Sequence, residues 1–91
     1  MRITEKDLEI AAERINRTLG TPLEPYARDA SGKQIAQIGN YHISYQYGYY
    51  SLYRVQSHTG SAVDVLACGH IKKGDLYNRM HAFLAGHRAT L

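Results

Sequence analysis

Apolar residues between positions 4 and 19 recur at helical spacing. Leu8, Ala11, Ala12, Ile15 and Leu19 form one stripe, which predicts an amphipathic helix. Thr4 suits the N-cap, and Glu5 and Asp7 fall in the first turn, where the helix dipole favours carboxylates. Gly20 is a left-handed stop, and Pro22 prevents continuation. Glu13 and Arg17 stand four apart and should pair on the exposed side, while Ile10 lies off the stripe. Residues 21–40 show no clean period. Pro22 and Pro25 favour extended chain, and Ser31-Gly32 signals a turn that short strands would flank.

From residue 41 the period changes to two. Residues 41–67 read as a three-stranded antiparallel meander, turning at Gly48 and at Ser57-His58-Thr59-Gly60. Two-residue loops at 47–48 and 58–59 set Ile43 opposite Leu52 and Leu52 opposite Val65. The same register sets Tyr45 opposite Tyr50 and Tyr50 opposite Ala67. One face then carries Tyr41, Ile43, Tyr45, Tyr50, Leu52, Val63, Val65 and Ala67. A slip of one residue would expose all of them, which is why this register is expected. Arg54 falls opposite Val63 and must reach solvent from the sheet edge. The other face carries Ser44, Gln46, Tyr49, Ser51, Val55, Ala62 and Leu66, with His42, Tyr53 and Asp64 in one row across the strands.

A second helix is expected over 72–86, with Leu76, Met80, Phe83 and Leu84 as its stripe, Gly86 ending it and 89–91 a short tail. The order is α-β-β-β-α. The expected fold is α+β: a single domain, residues 1–91, with two helices packed on one face of the meander and the other face open.

Composition sharpens this picture. Ninety-one residues support one small core, and with no Trp and one Phe, the eight Tyr must supply most of the aromatic bulk. No apolar run approaches the ~20 residues of a transmembrane helix. The charged start, Met-Arg-Ile-Thr-Glu-Lys-Asp, is unlike a secretory signal. The single cysteine, Cys68, excludes an intramolecular disulfide and fits a reducing cytoplasm. Residues 1–19 and 20–68 are each neutral. The whole net charge of +3 falls in residues 69–91, where Lys72, Lys73, Arg79 and Arg88 face only Asp75. That segment could attract an anion.

Chemistry is sparse. Cys68 and His70 stand two apart, but no third group is evident to orient a nucleophile–base pair. The five histidines show no i,i+4 pair and there is no CxxC, so no metal is expected. No phosphate-binding glycine loop or serine-hydrolase motif is present. Neither a cofactor nor an enzymatic activity is expected. Six tyrosines crowd residues 41–53, and those on the open face offer large, rigid contact area with a polar tip.

Two resemblances add context. The segments Ile38-Gly39-Asn40-Tyr41-His42-Ile43, Tyr47-Gly48, Val63-Asp64-Val65-Leu66 and Leu76-Tyr77, with Met80-His81-Ala82-Phe83-Leu84-Ala85-Gly86, resemble a group of small bacteriophage- and prophage-encoded proteins. That resemblance implies action in an infected bacterium's cytoplasm through a host or phage partner. Gly39-Asn40-Tyr41-His42 and Lys72-Lys73 echo the loop and last-helix elements of the double-stranded-RNA-binding domain, without its loop proline. The expected function is non-enzymatic binding of another protein, or of a second copy, through His42, Gln46, Tyr49, Tyr53, Asp64 and Leu66 on the open face. The alternative is nucleic-acid binding through Lys72, Lys73, Arg79 and His70.

Overall fold

The structure, a computed structural model, describes residues 2–89, and side chains through residue 87. Helix α1 spans Glu5–Leu19. Strands β1 (Tyr26–Arg28) and β2 (Gln34–Ala36) form a two-stranded antiparallel sheet. Strands β3 (Tyr41–Gln46), β4 (Tyr49–Val55) and β5 (Ala62–Asp64) form a second antiparallel sheet in that order, and α2 spans Lys73–Ala89. The fold is α+β, with both helices on one face of the larger sheet and the small hairpin inserted between α1 and β3.

Local chemistry explains most boundaries. The Thr4 side chain accepts from the Asp7 N–H while the Asp7 carboxylate accepts from the Thr4 N–H, closing a capping box. Gly20 ends α1 in the left-handed region, with its N–H donating to the Asn16 carbonyl. The Asp29 carboxylate accepts from the Ser31 and Lys33 N–H groups and from the Ser31 hydroxyl, which folds the β1–β2 turn. Tyr47 and Gly48, at φ 50° and 83°, form the two-residue β3–β4 turn with both residues left-handed, the geometry that matches strand twist.

The expected register holds as far as Asp64. Ile43 pairs with Leu52, Tyr45 with Tyr50, Tyr53 with Asp64 and Arg54 with Val63. Leu8, Ile15, Leu52, Leu76 and Met80 are buried together, and Ile43, Val65 and Tyr41 pack against them. Burying such side chains contributes roughly 1.5–3 kcal/mol each, so the helix-facing side supplies most of the fold's stabilisation.

The expectation fails at several points. Tyr45 is exposed although it lies on the helix side, because it sits at the hairpin end with its ring against Tyr50, centroids 5.2 Å apart. Val63 is also exposed, on the edge strand. β5 ends at Asp64, so Ala67 never pairs with Tyr50. Ala67 turns left-handed at φ 53°, and Tyr50 instead exchanges two backbone hydrogen bonds with Ile71 (2.7 and 2.8 Å). Leu66, expected on the open face, packs against the helix-side core within this excursion. Helix α2 runs through Gly86 to Ala89. Of the expected tail over 89–91, residues 90 and 91 lie outside the described residues.

Candidate interaction surfaces of the larger sheet

Strand alternation brings His42, Tyr53 and Asp64 into one row on the face away from the helices, as the register requires. The rings of His42 and Tyr53 are 6.2 Å apart, tilted. Burial disfavours the charged imidazole and holds His42 below its ordinary pKa. Asp64 is partly committed to structure. Its Oδ2 accepts from the Gly69 N–H at 2.6 Å, while Oδ1 is buried without a partner among the described residues.

A second row was hidden from sequence reasoning. Because Ile71 pairs with Tyr50, His70 falls in line with Ser51 and Ser44. His70 Nε2 reaches past Ser51 to the Ser44 hydroxyl at 3.0 Å, and its ring lies 5.7 Å from that of Tyr53. Ser51 beneath is fully inaccessible, and its hydroxyl has no hydrogen-bond partner among the described residues. His70 was expected beside Lys72 as a phosphate contact; it is turned into the sheet instead. The Ser44–His70 distance suits a nucleophile and base, but among the described residues no carboxylate accepts from the other ring nitrogen. The geometry organises the face and does not assemble a triad.

The remaining expected residues divide. Gln46 and Tyr49 are exposed beside the β3–β4 turn, at the end of the same face as Tyr53. Tyr47, at the turn itself, is 87% exposed, and Tyr45 flanks it from the helix side. The open face is therefore polar and half-covered at its centre, and aromatic and uncovered at its tip. Lys72 is exposed and its carbonyl accepts the first turn of α2 from Leu76 N–H. The Lys73 ammonium lies over the Tyr50 ring, 5.9 Å from its centroid, and Arg79 is exposed. Arg79 lies on α2 and Lys72 immediately precedes it, while the Lys73 ammonium is drawn toward the sheet.

A polar residue of α1 also proves structural. Asn16 is buried, and its amide grips one residue of the β3 edge. Nδ2–H donates to the Tyr41 carbonyl and Oδ1 accepts from the Tyr41 N–H, both at 2.8 Å. Thr21 adds a hydroxyl donor to the same Oδ1. Only the three-dimensional pairing exposes this role, since in sequence Asn16 is one more polar helix position.

No described helix is long and apolar enough to cross a membrane. No family model matches the chain, and no curated protein or solved structure matches it.

Proposed function

We propose that the protein is a non-enzymatic binding module that engages another protein through the open face of the larger sheet, anchored at the β3–β4 tip. Tyr47 carries this reading. It is 87% exposed and held at φ 50°, a conformation that glycine or asparagine adopts more readily than a bulky aromatic. Its side chain contributes little burial to the fold, so its chemistry is better suited to contact with a partner. Tyr49 and Gln46 extend the patch, and Tyr53, His42 and Asp64 continue it along the strands. Exposed tyrosines ringed by polar groups are a common basis of protein recognition. On the resemblance drawn above, the partner is a host or phage protein in an infected bacterium.

Nucleic-acid binding through Lys72, Lys73, Arg79 and His70 draws less support. His70 is engaged by Ser44, and Lys73 by the Tyr50 ring. The two readings separate in one experiment, in which the immobilised protein and its Tyr47→Asn variant are exposed to bacterial lysate with and without nuclease. The expected result is a protein retained by the wild type at raised salt and lost on Tyr47→Asn. Equal capture by both, or capture abolished by nuclease and by salt, would overturn the proposal.

A further inference from the structure

We propose a second binding site, independent of the hairpin tip: the outer edge of β3 takes up an extended peptide strand carrying basic side chains at alternate positions. The phase of the ladder decides which groups are free. The Val55 N–H donates to the Asn40 carbonyl at 2.9 Å, so His42, Ser44 and Gln46 exchange hydrogen bonds with β4. The N–H and C=O groups of Tyr41, Ile43 and Tyr45 then point away from the sheet. Those of Tyr41 are taken by the Asn16 amide, which makes the two bonds a neighbouring strand would make. Those of Ile43 and Tyr45 have no partner among the described residues. Natural edges are usually blunted by lysine, proline or a bulge. Tyr41–Gln46 contains no charge and no proline, and its pairing with β4 is unbroken.

The flanks select the occupant. Two hollows lie along this edge, one of about 580 Å³ between α1, residues 23–25 and β3, the other of about 210 Å³ toward Tyr45 and Tyr50. They share Glu9 and Ile43. One is centred near Tyr41–Ile43 and the other near Ile43–Tyr45. An added strand would thus set side chains i and i+2, about 7 Å apart, into successive hollows. Their acidic groups are Glu5, Glu9, Glu13 and Glu24. Among the described residues the only cation lining them is Arg17, which is paired with Glu13 at 2.7 Å, and Lys73 stands nearby over the Tyr50 ring. Glu5 accepts from the Tyr50 hydroxyl. Among the described residues Glu9 and Glu24 make no ion pair, which leaves them to meet lysine or arginine. A second copy is disfavoured as the occupant. Two-fold antiparallel pairing of β3 with itself would keep both α1 helices on the same side of the joined sheet and bring like carboxylates together.

The test is nuclear magnetic resonance titration of the intact protein with a synthetic alternating lysine–valine peptide, against an alternating glutamate–valine control. The lysine peptide should shift the Ile43 and Tyr45 amides and slow their hydrogen exchange, and the control should not. Glu9→Gln with Glu24→Gln should weaken binding by about tenfold, the equivalent of two partly screened ion pairs. Tyr45→Pro removes an outward N–H without touching the β3–β4 ladder, and should abolish binding, whereas Tyr45→Thr should retain it. Equal response to both peptides, binding that survives Tyr45→Pro, shifts confined to other elements, or a dimer by light scattering that occupies this edge would each overturn the proposal.

Discussion

Leu52 and Ser51 are adjacent in β4 and equally inaccessible, yet they are covered by different kinds of structure. Leu52 faces two helices and sits among Leu8, Ile15, Leu76 and Met80. Ser51 faces the other way, in line with the imidazole of His70, and its hydroxyl is unsatisfied. The first side gains free energy with every apolar atom removed from water. The second gains only where polar groups match, and the unmatched ones count against it. The folding energy is concentrated on one side, which leaves the other side's residues available for recognition.

Substitutions can break this contrast. Leu52→Ala should cost about 3 kcal/mol, read as a lowered denaturation midpoint with an unchanged denaturant slope. A loss under about 1 kcal/mol would mean that the helix side does not carry the fold. Alkaline titration probes the same side through Tyr50, whose pKa is pushed from 10.0 up to about 12, first by its hydrogen bond to Glu5 and then by burial. The folded state thus holds this proton more tightly than the unfolded state. Its contribution is full below pH 10 and is lost as pH rises through about 12. Glu5→Gln should move the Tyr50 phenolate transition downward in ultraviolet titration.

On the polar side, His70→Ala should cost only about 1 kcal/mol, since it removes one hydrogen bond and a cover. His42 behaves as the mirror of Tyr50. Its folded pKa lies below 6.5, so its contribution is present above that pH and is lost as pH falls through the folded value. His42→Gln should flatten that acid limb of the stability curve. Ser51→Ala should be neutral or slightly stabilising by thermal denaturation, because the hydroxyl it removes has no partner among the described residues. A clear loss there would show that the hydroxyl is satisfied and that the two sides are less different than the geometry implies.

The larger sheet was legible because side chains alternate strictly. Once Gly48 and the 57–60 turn are placed, every pair from Tyr41↔Arg54 to Tyr53↔Asp64 follows. The His42–Tyr53–Asp64 row was legible for the same reason. The Ser44–Ser51–His70 row was not, because it depends on the chain leaving the sheet after Asp64 and returning at Ile71. That departure uses a left-handed alanine, Ala67, and alanine gives no sequence signal for the conformation. The grip of Asn16 on Tyr41 was equally hidden, since it joins residues 25 apart and has no local signature.

The span between Asp64 and Ile71 is anchored at both margins, by the Tyr53 pairing at one and the Tyr50 bridge at the other. Its contour length is thereby uncoupled from the placement of α2. Residues added near Ala67 or Gly69 would bulge into solvent at a modest loop-closure cost and leave the helix where it is. The same addition inside β4 would move every side chain beyond it to the opposite surface.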